Sequence, residues 1–114
     1  MSSTTGNVNN QTGIPLTFSV GAVSHGDNPT IEVPSLESGA QATVFIAMSN
    51  GAGVEGNVVA AGPSGLGVSF TLFYDNPVVG GNSGNVPSVS GPYTGTCEVG
   101  SGNDNTNKYT LKPA

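Results

Sequence analysis

The chain has 114 residues, which is enough for one small domain (1–114) with a single two-layer core. Gly, Ser, Asn, Thr and Pro make up more than half of it, and only 8% of the residues are charged. Two basic residues face seven acidic ones, for a net charge of −5, which excludes nucleic-acid binding and polybasic docking to anionic lipids. Short runs rich in Val, Thr and Phe, separated by Gly, Asn and Pro, favour an all-β fold over a disordered linker.

The predicted strands follow from the alternation of apolar and polar residues and from clusters of β-branched residues. Turn signals such as Asn50-Gly51 separate the runs. The pattern predicts strands at residues 16–20, 30–33, 42–48, 54–60, 68–74, 93–99 and 108–111, and loops at the Gly- and Asn-rich residues 77–90 and 100–107. About eight short strands at this spacing predict a single-domain antiparallel β-sandwich.

The most apolar of these runs gives a prediction about its two faces. Successive side chains of a strand point to opposite sides of the sheet. Alternation therefore places Val44, Ile46 and Met48 on one face and Phe45 and Ala47 on the other.

The residues that could carry chemistry are few and scattered. His25 is the only histidine and is predicted in a polar turn, where a solvated side chain is favoured because a triad or metal site needs a second, orienting group. The seven carboxylates occur singly, although a glycosidase pair drawn from distant positions stays open as an alternative. We therefore predict no enzyme activity, catalytic residue, metal site or cofactor.

Two further groups of residues have side chains that could form a site. Asn103, Asp104 and Asn105 offer oxygen ligands of the kind that Ca²⁺ takes, but they lack the ordered acidic spacing of an EF-hand loop, so a polar hairpin loop is favoured. Cys97 is the single cysteine, which rules out an intramolecular disulfide. Its position in a predicted strand favours a buried, unreactive thiol.

The segment at residues 73–77, Phe-Tyr-Asp-Asn-Pro, stands out from the rest of the chain. Two aromatic residues end a predicted strand, and Pro77 then keeps Asn76 extended while Asp75 can accept hydrogen bonds in the turn. Two interpretations stay open. The segment is either a strand-ending corner with a packed aromatic ring, or a surface aromatic at the base of a loop, suited to an uncharged lipid headgroup or a sugar.

Several short motifs occur in a fixed order along nearly the whole chain. They are Val-Asn-Asn-Gln-Thr-Gly at 8–13, Ser-Asn-Gly at 49–51, Gly-Val-Glu-Gly at 53–56, Phe-Tyr-Asp-Asn-Pro-Val-Val-Gly-Gly-Asn at 73–82, Gly-Ser-Gly-Asn at 100–103 and Tyr-Thr-Leu at 109–111. Together they resemble the aegerolysin family. The resemblance is greatest to the bacterial insecticidal branch, whose members are the small components of binary toxins.

The resemblance implies a non-enzymatic protein that docks on target-cell membranes, through a lipid or a receptor, and acts with a larger pore-forming protein. It implies a motif turn held by Glu55 and Gly56. It also implies that Asp75, Pro77, Gly80 and Asn82 shape the corner loop and that Tyr74 stands at the family's aromatic position. Our candidates for membrane or partner binding are Phe73, Tyr74, Asp75, Asn76, Pro77, Val78, Gly80 and Asn82. The chain has no Trp, and Val78 replaces the family's second corner aromatic, so a receptor, a glycan or the partner toxin is expected to supply part of the affinity.

The remaining expectations concern location and assembly. The polar residues 1–10 do not form an ordinary secretory signal, and no apolar run approaches the ~20 residues that span a bilayer. We expect a soluble protein that is made in the cytosol, with inclusions as one storage form, and is then released to act at the target-cell membrane. Low charge also permits homo-oligomers. The alternative function left open is a carbohydrate- or protein-binding module without membrane activity.

Overall fold

Ten β-strands make up the regular structure of residues 2–114, the part of the chain that the computed structural model describes; Met1, from the N-terminal segment considered above, lies outside it. The predicted all-β sandwich is confirmed, since the strands form two five-stranded sheets. No helix in this range is long and apolar enough to cross a membrane. The strands are β1 (Ser2–Asn10), β2 (Leu16–His25), β3 (Thr30–Ile31), β4 (Ser35–Leu36), β5 (Gln41–Ser49), β6 (Val54–Ala61), β7 (Ser69–Asn76), β8 (Ser83–Ser90), β9 (Tyr93–Glu98) and β10 (Asp104–Pro113).

The two sheets differ in how their strands are connected. The first sheet has the order β3-β5-β1-β10-β9 and the second the order β4-β2-β6-β7-β8. Among these strands the pairs are antiparallel except for β1 and β10, which run parallel with Ser3 opposite Asp104 and Asn10 opposite Leu111. The first and last strands therefore lie side by side in the middle of the first sheet.

The first half of β1 has no counterpart among the strands predicted by alternation. The inward positions of the whole strand are buried, yet most of them are polar or small: Ser2, Thr4, Gly6, Val8 and Asn10. A Cβ atom at position 6 would overlap the ring of Phe45, so only glycine fits there. Alternation of hydrophobicity cannot reveal a strand whose buried face is polar.

The prediction for the faces of β5 is wrong in one respect. The register against β1 shifts at Val44, and both Val44 and Phe45 are fully buried. A β-bulge puts one extra residue on one strand and so reverses the alternation beyond it. Val44 therefore does not share a face with Ile46 and Met48, which are half-buried and exposed.

Both predicted loops contain strand residues. The loop predicted at 77–90 spans only 77–82, because β8 begins at Ser83. As the outer strand of its sheet, β8 has no fully buried position and carries Pro87, features typical of edge strands. In the loop predicted at 100–107, β10 already begins at Asp104. Of the strand predicted at 30–33, only residues 30–31 form a strand, β3, and β4 lies beyond the predicted range.

The turns gather at two ends of the sandwich. One end, here called the loop end, carries the turns at residues 26–29, 50–53, 77–82 and 99–103, together with the start of β1. The Asp27 N–H donates to the Met48 carbonyl (3.1 Å), which ties two of these segments together. The apolar core fills most of the space between the sheets and contains Val8, Leu16, Phe18, Leu36, Val44, Phe45, Ala47, Val54, Val58, Ala60, Val68, Phe70, Leu72, Tyr74, Tyr109 and Leu111.

Candidate functional site

The residues singled out at the corner divide between a strand and a loop. Residues 73–76 are the last four residues of β7, where Tyr74 and Asn76 point inward and Phe73 and Asp75 point outward. Pro77, Val78, Gly80 and Asn82 belong to the loop that follows, residues 77–82, here called the corner loop. The structure brings the corner together as one unit, but only part of it can meet a ligand.

Tyr74 is the packed aromatic of the two interpretations, not the surface one. Its side chain is 0% exposed and its ring centroid lies 5.4 Å from that of Phe45. Burial raises the pKa of the Tyr74 hydroxyl to about 12. Among the residues that the structure describes, no group forms a hydrogen bond with this hydroxyl. Tyr74 therefore cannot present its ring to a membrane or a partner from this fold.

Asn76 is also buried, and it fastens the base of the corner loop. Its side-chain NH₂ group donates to the carbonyls of Ser3 (2.9 Å) and Asn103 (2.8 Å) and lies 3.3 Å from the Asn105 Oδ1 atom. These acceptors belong to the start of β1, to the turn before β10 and to β10 itself. The role predicted for Asn76 in direct binding is therefore replaced by a role in holding three segments together.

Asn82 performs the same task at the far end of the corner loop. Its NH₂ group donates to the carbonyls of Gly100 (3.2 Å) and Gly102 (3.0 Å). Both acceptors lie in the loop at residues 99–103, here called the glycine loop. The corner loop and the glycine loop are thus fixed to each other at two points.

An open cleft of about 400 Å³ lies between the two loops. Val78 and Val99 face it from opposite sides, and backbone atoms of glycine residues form much of its remaining wall. Gly80 has a φ of 107°, a value that suits glycine and that shapes the corner loop. The cleft is neutral and open to solvent.

Three valines at this end project into solvent. Val79 is 87% exposed, Val78 59% and Val99 38%. Apolar side chains this exposed on adjacent loops form a patch that can enter an apolar phase. Val79 and Val99 were missed as binding candidates. The signal available was the Val-Val pair between Pro77 and Gly80, which is too short to form part of a core strand.

Glu55 and Gly56 do not form a turn. Both lie within β6, and the turn precedes them at residues 50–53. A Cβ at Gly56 would lie 2.8 Å from the Tyr74 hydroxyl oxygen and 2.7 Å from the Ala22 carbonyl oxygen. The glycine is therefore needed for close packing beneath Tyr74, which corrects the predicted motif turn.

The polar groups nearest to a catalytic arrangement lie on the outer face of the second sheet. Glu55 is directly opposite Asp75, and His25, whose side chain is 62% exposed, lies with its Nε2 atom 3.6 Å from the Glu55 Oε1 atom. Burial, and then the charge of Glu55, raise the pKa of the Asp75 carboxyl, which His25 opposes. Within residues 2–114 no group of three or more His, Cys, Asp and Glu side chains is arranged to hold a metal ion.

Asn105 and Asn107 form a buried polar ladder that the sequence analysis missed. The Asn105 NH₂ group donates to Asn107 Oδ1 (2.9 Å), and that of Asn107 donates to the Tyr109 hydroxyl oxygen (3.3 Å). The Tyr109 hydroxyl in turn donates to the Phe73 carbonyl (2.6 Å). Burial raises the pKa of Tyr109 strongly. The sequence predicts Asn105 in a polar hairpin loop, whereas the structure places it inside the sandwich, at 2% exposure.

Cys97 lies on β9 and is half-buried and unpaired among the described residues. Burial raises the pKa of its thiol to about 11. A thiol with that pKa is protonated at neutral pH and is a poor nucleophile.

Known proteins with a similar architecture exist among solved structures. The chain superposes on the lipid binding protein Nakanori with a TM-score of 0.73 and 15% identity, over 96% of this chain and 70% of that one. It superposes on the RahU protein, crystallised in complex with a TRIS molecule, with a TM-score of 0.74 and 14% identity, over 99% and 96% of the two chains. No protein-family model and no curated protein sequence matches the chain. At these identities the likeness establishes the fold.

Proposed function

We propose that the protein is a non-enzymatic component that docks on target-cell membranes through the corner loop and the glycine loop. The observation that carries this proposal is the valine patch, Val78, Val79 and Val99, at the end of a sandwich whose loops are fixed by Asn76 and Asn82. Side chains held in place before binding lose little conformational entropy on insertion. One of the structurally similar proteins is a lipid binding protein, which supports lipid as the surface that is met.

The size of the patch limits what it can do alone. The exposed parts of the three valines amount to about two fully exposed side chains, and burying them yields about 3 kcal/mol. A dissociation constant of 1 mM already requires about 4 kcal/mol. The patch therefore supports reversible contact, and stable binding needs a receptor or a second protein.

Charge points to the kind of membrane surface. The chain carries a net charge of −5, so it gains nothing from the negative potential of anionic lipids. The walls of the cleft are neutral, with backbone and amide groups available. A surface of uncharged or zwitterionic headgroups suits this end of the molecule.

The wider role extends the resemblance found in the sequence. In that role the protein is an insecticidal aegerolysin-like toxin component, and a larger protein supplies the pore. The outward positions of the two sheets are largely polar, which supports a part in docking and leaves the pore to the larger protein.

The test uses insect midgut membrane vesicles and phosphatidylcholine–cholesterol vesicles, with binding measured by co-sedimentation. The double variant Val78→Ser/Val79→Ser is compared with Leu66→Ser, which changes an exposed apolar side chain at the opposite end. We expect the double variant to lose at least about two thirds of its binding and Leu66→Ser to bind as the native chain does. Failure of the native chain to bind either membrane, or equal binding by the double variant, contradicts the proposal.

A further inference from the structure

One aromatic side chain takes no part in the interior of the sandwich. The chain has seven aromatic residues, and five of them are fully or almost fully buried in the core. Tyr93 packs edge-on against Phe70, with ring centroids 5.8 Å apart. Phe73 alone points outward, from β7, which lies between β6 and the edge strand β8. The fold gives this ring no partner in the core.

Amide side chains flank Phe73 on both neighbouring strands. Phe73 is directly opposite Asn57 on β6 and Asn85 on β8. Strands are about 4.8 Å apart, so the two asparagines stand roughly 10 Å apart with the ring between them. A single sugar ring with its hydroxyl groups can bridge that span.

These amides retain hydrogen-bonding capacity. The Asn57 Oδ1 atom accepts from the Ala22 N–H (3.2 Å), which fixes the side chain on the outer face. Within residues 2–114 the NH₂ group of Asn57 makes no hydrogen bond, and neither does the side chain of Asn85. The donors needed to bind a hydroxylated ligand are therefore free.

The next residues along the same face are acidic. Asp75 is two positions from Phe73 on β7, and Glu55 lies opposite Asp75 on β6. Carboxylates accept hydrogen bonds from hydroxyl groups, and their charge disfavours a negatively charged ligand. Lys108 and Lys112, the only Lys or Arg side chains of the chain, lie on the first sheet and do not offset this charge.

We propose that this outer face of the second sheet is a binding site for a neutral sugar ring. The less polar face of the sugar stacks on Phe73, its hydroxyl groups receive hydrogen bonds from Asn57 and Asn85, and they donate to Asp75 and Glu55. An aromatic ring among amides and carboxylates has the apolar surface and the polar rim that such a ligand needs. The site stands apart from the valine patch and does not depend on membrane docking.

The experiment measures binding of the full chain to an array of soluble neutral and acidic glycans, without membranes, followed by calorimetry on the best ligand. Phe73→Leu keeps an apolar side chain and loses the ring, while Phe73→Trp enlarges the stacking surface. Thr106→Ala, on the outer face of the other sheet, is the matched control. Thermal unfolding of each variant checks that it folds.

We expect binding to neutral glycans, a loss of about tenfold in affinity for Phe73→Leu, and native or tighter affinity for Phe73→Trp. Asn85→Ala, at an exposed edge-strand position, is expected to weaken binding about threefold. The assignment is overturned if no neutral glycan binds, if acidic glycans bind better, if Phe73→Leu binds as the native chain does, or if the only ligand bound through Phe73 is a protein.

Discussion

The two ends of the sandwich are built in opposite ways. At the end that holds Leu16 and Leu111, the interior is apolar apart from Asn10 and Thr12, and the Asn10 amide donates to the carbonyls of Ile14 and Leu36. At the loop end the interior is largely polar and the surface carries exposed valines. Apolar packing stabilises the first end, and this interaction does not depend on the direction of approach. Hydrogen bonds stabilise the loop end, and because their geometry is directional they fix the positions of the loops. Apolar packing thus stabilises one half of the molecule, and hydrogen bonds place the corner loop and the glycine loop in the other half.

The largest effect is expected from the apolar end. Leu111 is fully buried, so Leu111→Ala removes apolar contacts and leaves a cavity, at a cost of about 3 kcal/mol in the free energy of unfolding. Urea unfolding measures this loss. Leu66→Ala, the same change at an exposed position, is the control and should shift the free energy by less than about 0.5 kcal/mol.

A smaller loss of stability, concentrated at the loop end, is expected from replacing Asn76. Asn76→Ala removes a buried amide that donates to two part-buried carbonyls, and it costs about 2 kcal/mol in the free energy of unfolding. In Asn76→Ala, amide hydrogen exchange should become faster at residues 99–103 than elsewhere. In Leu111→Ala, the same amides should exchange no faster than the lowered global stability of that variant requires. Asn50→Ala, at an exposed position of the same end, controls for loss of an amide. If Asn76→Ala instead raised amide exchange equally at both ends, the two ends would not differ in how they are stabilised.

Two tyrosines between these ends should respond with opposite signs. Tyr74→Phe removes a buried hydroxyl without a partner and should stabilise the protein by about 1 kcal/mol. Tyr109→Phe removes a hydroxyl that donates to the Phe73 carbonyl and accepts from Asn107, so it should destabilise by about 1 kcal/mol. Chemical unfolding measures the stability of both variants. A loss of stability in Tyr74→Phe would contradict the conclusion that the Tyr74 hydroxyl is buried without a hydrogen-bond partner.

The smallest effect near neutral pH is expected from the ionisation of Tyr74 and Tyr109. Burial raises the pKa of Tyr74 from 10.0 to about 12, and that of Tyr109 also rises. The folded state therefore holds these protons more tightly than the unfolded state. Their contribution to stability is complete below about pH 10 and is lost as the pH rises through the folded pKa. Unfolding at a series of alkaline pH values should show this fall, with a shallower fall in Tyr74→Phe.

Alternation predicted the strands whose buried face is apolar. The run at 68–74 is such a case, since Val68, Phe70 and Leu72 are all buried. The first half of β1 and the start of β10 escaped detection because their inward residues are hydrogen-bonded in pairs, as Thr4 with Asn105. A hydrogen bond between positions so distant in the sequence leaves no local signal.

The sequence singles out the corner as a candidate site, and the alternation along residues 68–74 also indicates which way its aromatic side chains point. The corner at residues 73–82 forms one structural unit, as expected. Which of two adjacent aromatics faces outward depends on the register of β7 against β6, and that register puts Tyr74 over Gly56 in the core. The alternation of Val68, Phe70 and Leu72 with Ser69 and Thr71 predicts Phe73 on the polar face of this run, and the structure confirms that Phe73 points outward and Tyr74 inward.

The parallel pairing of β1 with β10 has a kinetic consequence. Ser3 and Asp104 are 101 positions apart, and the strand pair that they belong to lies at the centre of its sheet. Closing so long a loop costs chain entropy before any contact is gained, which places the fold among the slower β-proteins, with folding times of roughly milliseconds to seconds. During synthesis β1 must wait with an open edge until the last strand is available, so newly made chains are most prone to mispair before β10 emerges.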